Sequence, residues 1–150
     1  MGKKRIIKIA EEELIKERDK IEAKIQKEIK VETPQKVKEG KIYIFSSYNN
    51  TILTLTDAQG RVLYWTSAGR IGFKGTKKGT PFAASKVAET MAQAVKKLDI
   101  EKIQILVKGI GSGRESAIRS LAARDLNIIS IKDITPTPHN GCRPRKVRRV

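Results

Sequence analysis

The chain has 150 residues, enough for one domain with a real core and too few for two large ones. Lys and Arg number 32 against 16 Asp and Glu, a formal net charge of +16, and this excess predicts a polyanionic partner rather than mere solubility. The single cysteine, Cys142, excludes an internal disulfide and a cysteine-built metal cage within the chain, and no apolar run approaches the ~18–20 residues of a membrane span.

Residues 1–40 hold 12 basic and 9 acidic side chains and read as a charged N-terminal helical extension. Within it, residues 9–29 form a Glu/Lys-rich helix in which Leu14, Ile21 and Ile25 make a narrow apolar stripe, Glu12 and Lys16 form a favourable i,i+4 pair, and Thr33-Pro34 supplies the stop. A stripe this thin does not enter a deep core, so a solvated helix is expected, with docking on a neighbouring protein or RNA as the alternative. Its acid-rich start (Glu11, Glu12, Glu13, Glu17, Asp19, Glu22) resembles neither a secretory leader nor a transit peptide, and a reduced, intracellular setting is the expectation.

The folded domain is predicted over residues 41–134. Ile42-Tyr43-Ile44-Phe45 is a short apolar run expected to be a strand buried on both faces. Asn49-Asn50 makes a turn, residues 51–56 a second strand rich in β-branched side chains, Asp57-Ala58-Gln59-Gly60 a further turn and residues 62–66 a third strand. Connections this short imply an antiparallel meander. A Gly- and Lys-rich loop follows over 68–79, after which Thr80 reads as an N-cap and Pro81 as the first helical residue. Ala84, Val87, Ala88, Met91, Val95 and Leu98 then give a 3.6-residue stripe. Ile103, Ile105 and Val107 form a fourth strand; a glycine loop leads into a helix with Ala117, Ile118 and Leu121 inward and its end at Asn127; residues 128–134 are the last strand. The order βββαβαβ implies one α/β domain with a mixed five-stranded sheet. Residues 135–150 form an extended basic tail.

Charge is concentrated in two acid-free segments. One runs over 68–86 with Arg70, Lys74, Lys77, Lys78 and Lys86; the other is the tail, with Arg143, Arg145, Lys146, Arg148 and Arg149. Phosphate is expected there. Phe73, in the first segment, either stacks on a base or anchors the loop in the core, and anchoring is preferred. The loop Lys108-Gly109-Ile110-Gly111-Ser112-Gly113-Arg114-Glu115 lies between a strand and a helix, a context in which glycines let backbone approach an anion at a helix N-terminus. Neither the dinucleotide spacing G-x-G-x-x-G nor the phosphate loop G-x-x-x-x-G-K-[ST] is present. RNA phosphate is the leading reading, a plain tight turn the second and nucleotide binding the third. His139 and Cys142 lie three apart but have no second His or Cys to complete a zinc site and no orienting partner for catalysis. The carboxylates Asp57, Glu89, Glu115, Asp125 and Asp133 are scattered and read as turn, cap or surface groups, with Glu115 placed to suit the helix dipole.

Several runs together resemble one family. They are Tyr48-Asn49-Asn50-Thr51, Thr80-Pro81-Phe82-Ala83-Ala84, Lys108-Gly109 with Gly113-Arg114-Glu115, Ile134-Thr135-Pro136, Pro138-His139-Asn140-Gly141-Cys142-Arg143-Pro144 and the closing Arg148-Arg149-Val150. Over residues 40–150 the chain is similar to the family of the universal eleventh protein of the small ribosomal subunit, and the PHNGCRP run is the most specific part. The resemblance implies a ribonuclease H-like motif used without catalysis. It also implies a place on the subunit platform bridging small-subunit rRNA helices beside the Shine–Dalgarno duplex of the mRNA. The implied neighbours are the seventh and eighteenth small-subunit proteins and initiation factor three. The chain departs from the family pattern at Arg70 (usually Gly), Gly79 (usually Ser), Ile110 and Ser112 (usually Pro), Arg145 (usually Pro) and Val147 (usually basic). Its short ending favours a bacterial or organellar source, with a cytoplasmic ribosome ahead of an organellar one.

The expectation is therefore a structural rRNA-binding protein with no enzymatic activity, cofactor, metal or membrane association. RNA contacts are expected from Asn49 and Asn50 in the first turn; from Arg70, Lys74, Lys77 and Lys78 in the basic loop; from Ser112, Gly113 and Arg114 at the helix start; and from His139, Asn140, Arg143, Arg145, Lys146, Arg148 and Arg149 in the tail. A nuclease is the rival from another class, since the implied fold is shared, but metal-dependent cleavage needs clustered carboxylates. A DNA-compacting protein is the third.

Overall fold

The computed structural model describes Asp19 and residues 37–143 and 145–147. Apart from Asp19, the predicted helix over 9–29 and its stop at Thr33-Pro34 lie outside the described residues, as do Arg148 and Arg149. Three strands open the domain: β1 (Glu39–Ser46), β2 (Thr51–Asp57) and β3 (Val62–Ser67). They form the predicted meander, with β1 and β2 antiparallel from Gly40 opposite Asp57 to Ser46 opposite Thr51, and β2 and β3 antiparallel with a bulge at Leu55/Thr56. Asp57 fixes the second turn, because its Oδ1 accepts the backbone N–H groups of Gln59 and Arg61, each at 2.9 Å. Burial works to raise the Asp57 pKa, but those N–H groups and the Arg61 guanidinium, 3.2 Å from Oδ2, outweigh it and hold the carboxyl below its usual range.

The loop predicted over 68–79 is more regular than expected. It contains a single helical turn, α1 (Ala68–Ile71), and a 3-10 turn, Gly75–Gly79. The Ser67 hydroxyl accepts from Arg70 N at the start of α1, and Gly72 ends it at φ +119, a conformation open to glycine. One turn is too short to show a helical period in sequence. Phe73 is buried and packs edge-on against Phe82 at 6.0 Å between centroids, so it anchors the loop.

Helix α2 (Pro81–Lys97) starts as predicted: Thr80 caps it by accepting from Ala83 N at 3.3 Å. Its stripe Ala84, Val87, Ala88, Met91 and Val95 is buried. Strand β4 (Lys102–Lys108), helix α3 (Gly113–Ala122) and strand β5 (Ile128–Asp133) complete the chain order. Helix α3 stops at Ala122 rather than at Asn127, and Asp125, at φ +55, turns the backbone away before β5.

The sheet order is β3-β2-β1-β4-β5, with β4 parallel to both β1 and β5. Helices α2 and α3 cover one face, where Ile42, Ile44, Leu53, Leu55, Ile103, Ile105 and Val107 meet Val87, Met91, Ala117 and Leu121 in one core. Burying each large aliphatic side chain there is worth roughly 1.5–3 kcal/mol. The two helices are also joined through polar groups, since Glu89 on α2 lies 3.2 Å from Lys86 and 3.1 Å from Arg124 beyond α3. Burial raises the Glu89 pKa, and hydrogen bonds from Arg124 and Lys86 more than reverse it.

A further expectation fails. Strand β1 is not buried on both faces: Ile42 and Ile44 are fully buried, whereas Phe45 is 43% exposed and Tyr43 only half-buried. Both helices lie on the same side of the sheet, so an unbroken apolar run here marks a strand with one open face.

Candidate nucleic-acid interface

Because β1, β4 and β5 run parallel, their carboxyl ends share one edge of the sheet, and four loops gather there. The turn between β1 and β2 is closed by Ser47, whose N–H donates to Asn50 O at 2.9 Å and whose hydroxyl accepts from Asn50 N at 3.1 Å. Against it lies the loop following β4, where Gly111 N donates to Ser46 O at 3.1 Å. Ser112 Oγ donates to Gly79 O at 2.6 Å and so ties in the 3-10 turn. Gly109 N donates to Thr135 Oγ1 at 3.1 Å and ties in the root of the tail. The segments that carry the sequence-predicted RNA contacts are thus brought to one end of the molecule.

The glycines of the loop have an internal explanation. Gly109 sits at φ +100, and a Cβ there would collide with Ser46 O. A Cβ on Gly111 would collide with Ser47 O, and one on Gly113 with Thr51 Oγ1 while lying 2.8 Å from Ala84 Cβ. The approaching backbone is the protein's own first turn. Gly113 is accordingly buried and supports the interface from beneath. Ser112 is exposed, but its hydroxyl is engaged by Gly79, and it caps α3 without a side-chain bond to the helix.

Arg114 is also committed. Its guanidinium donates to Gly109 O at 3.0 Å and to Asp133 Oδ2 at 2.6 Å. The Asp133 carboxyl in turn accepts the Thr135 hydroxyl at 2.6 Å and Thr135 N at 2.9 Å. Hydrogen bonds from the Thr135 hydroxyl, then Arg114, then Thr135 N hold Asp133 far below the usual carboxylate range. This clamp fixes where the tail leaves the sheet. It was invisible in sequence because its ends are 19 residues apart.

Most of the remaining predicted residues face solvent, but the Asn50 amide oxygen is buried. Asn49 is exposed and Asn50 half-buried; Lys74 and Lys77 are exposed and Lys78 half-buried; His139, Asn140, Arg143, Arg145 and Lys146 are exposed. Arg70 instead turns back over the Trp65 ring, 4.9 Å from its centroid, and donates to Trp65 O at 2.8 Å. Two exposed side chains at this edge were not among the expected RNA contacts: Tyr48, 76% exposed at the tip of the first turn, and Ile110, 66% exposed at the tip of the glycine loop. Both interrupt polar or glycine-rich turns, which is the signal that marks them.

The carboxylates are spread out, and four of the five named in the sequence lie against a cation: Asp57 with Arg61, Glu115 with Arg119, Glu89 with Lys86 and Arg124, Asp133 with Arg114. Among the described residues no group of three or more His, Cys, Asp or Glu is placed to hold a metal ion, and Cys142 is a free, exposed thiol. No helix among the described residues is long and apolar enough to cross a membrane.

The family model for ribosomal protein S11 matches residues 40–149. The chain belongs to the ribosomal protein S11 family. Its relatives include the small ribosomal subunit protein uS11 of Thermosipho melanesiensis, 57% identical over 112 residues that cover 75% of this chain and 87% of the relative. The same protein of Treponema pallidum is 54% identical over 114 residues, 76% of this chain and 90% of the relative. Small ribosomal subunit protein uS11c of Mesostigma viride is 52% identical over 118 residues, 79% and 91% respectively. As an S11-family member the chain is a structural constituent of the small ribosomal subunit and not an enzyme. The matched region begins with β1 and ends in the basic tail.

Proposed function

We propose that this S11-family chain binds small-subunit rRNA on the subunit platform, bridging separate rRNA helices and helping to form the cleft for the Shine–Dalgarno duplex. The observation that carries the reading is the convergence of two acid-free cationic segments at one edge of the sheet. The 3-10 turn bearing Lys77 and Lys78 is tied to the glycine loop through Ser112, and the same loop holds the root of the tail through Thr135. Two such arms leaving one rigid base reach separate phosphate backbones, and each phosphate neutralised releases counterions.

In this reading Arg143, Arg145 and Lys146 take phosphate along the tail, with Arg148 and Arg149 extending the same run. Lys74, Lys77 and Lys78 take phosphate from the second arm, and Asn49, Asn50, His139 and Asn140 contact ribose or base edges from their turns. Arg114 contacts RNA only at the cost of its bond to Asp133, so its main part is to aim the tail. The seventh and eighteenth small-subunit proteins and initiation factor three are the proposed neighbours, residues 1–40 an arm appended to the domain, and a bacterial cytoplasmic ribosome the proposed location. The test is expression of a tagged chain followed by isolation of ribosomal particles. Retention on intact small subunits through a high-salt wash is expected, with footprints on the RNA of the platform. Release at moderate salt, or equal retention on duplex DNA of matched charge, contradicts the proposal.

A further inference from the structure

The edge described above accounts for the loops and the tail but leaves a whole face of the sheet unexplained. The helices cover the side of Ile42 and Ile44, and side chains alternate along a strand, so the register defines what the other side carries. One row across it reads Lys132, Leu106, Tyr43, Thr54, Trp65, and the next reads Lys108, Phe45, Ile52. Phe45 is 43% and Trp65 49% exposed. Tyr43 and Phe45 therefore stand on the central strand of an open face and Trp65 on its edge strand, with lysines at one end of each row and Arg70 stacked on Trp65 at the other. Glu39 is the one acid at a register position on this face of the described strands, and it is ion-paired to Lys102 at 3.4 Å.

We infer that this face is a stacking platform for single-stranded RNA, with Tyr43, Phe45 and the Trp65–Arg70 stack receiving bases and Lys108 and Lys132 their phosphates. Tyr43 and Phe45 are two residues apart on one strand, about 7 Å, with Phe45 exposed and Tyr43 half-exposed beside Ile52 and Thr54. Every base offers a π-face, so such a platform needs no particular sequence, only unpaired nucleotides. A protein partner of apolar chemistry would have to cover Lys108, which lies directly beside Phe45, and Lys132, in the same row as Tyr43. An RNA strand meets both with phosphate. The arrangement also gives Arg70 a role: its guanidinium holds the Trp65 ring in place and presents a second planar surface for stacking. The inference rests on the RNA-binding reading but concerns a different face.

Trp65 is the only tryptophan of the chain, so its emission reports on this face alone. The full-length protein is titrated with a labelled single-stranded oligoribonucleotide, following label anisotropy for total binding and Trp65 emission for the face. The expected result is quenching of Trp65 in step with binding, none with inorganic polyphosphate, and roughly tenfold weaker RNA binding for Phe45→Ala that Phe45→Tyr restores. RNA binding with unchanged Trp65 emission and an unaffected Phe45→Ala variant overturns the inference while leaving the RNA-binding reading standing. Absence of any RNA binding overturns both. Equal quenching by polyphosphate reduces the face to charge and overturns stacking. Crosslinks from Tyr43 or Trp65 in assembled subunits that reach only protein assign the face to a protein partner and equally overturn it.

Discussion

The glycine loop after β4 and the C-terminal tail both look like phosphate-binding sequence, yet the fold uses them in opposite ways. The loop is clamped between the first turn, the 3-10 turn and the tail root, and its glycines make room for Ser46 O, Ser47 O and Thr51 Oγ1. Beyond Thr135, every described residue of the tail is exposed. Glycine signals that something approaches the backbone closely; it does not say whether that is an anion or the chain itself. A run of cations without acids carries less ambiguity, because no internal partner of opposite charge lies within it. In the proposed reading the loop is the rigid base and the tail the reach.

That contrast predicts that substitutions in the two places fail differently. Gly109→Ala forces a side chain onto φ +100 and into Ser46 O, and should cost about 3 kcal/mol or more of folding stability, read as a lower urea midpoint. Replacing Arg143, Arg145 and Lys146 together by Gln should leave that midpoint within about 0.5 kcal/mol. The same triple change should make the salt dependence of rRNA binding shallower by roughly 2 in the log–log slope. Were the triple variant to unfold early and the glycine variant to lose RNA alone, the assignment of base and reach would be reversed.

Smaller effects test the details. Arg70→Ala removes the guanidinium from the Trp65 ring and should cost roughly 0.5–1 kcal/mol, with a shift in Trp65 emission that marks the ring as released. Asp133→Asn should act mainly through pH. The folded pKa of Asp133 is depressed, so its contribution is present above the unfolded value of about 4 and is lost as pH falls through the lower folded value. Melts of the two chains should differ at neutral pH and converge in strong acid. Divergence on acidification would contradict the clamp.

Much of the fold could be read from pattern. The meander, the Thr80 cap, the α2 stripe and the βββαβαβ order all depend on local periodicity or capping chemistry, and each stands as predicted. What pattern missed depends on groups distant in sequence. The open side of β1 follows from both crossover helices packing on one face, which the run Ile42–Phe45 cannot encode. Helix α3 ends five residues early, and beyond its cap Asp125 adopts φ +55, a choice Asp makes more readily than most residues and sequence alone does not force. The Arg114–Asp133 bond joins a helix start to a strand end, and it engages the guanidinium expected to meet phosphate in fastening the root of the tail. At the candidate site, exposed cations were legible and the packing role of the glycines was not.

The division into a rigid base and a cationic reach is tested most directly by salt-titrated binding to small-subunit rRNA, comparing the full chain with one that ends at Thr137. The account predicts weaker binding and a clearly shallower salt slope for the shorter chain, at unchanged folding stability. Equal affinity with an equal slope would contradict it.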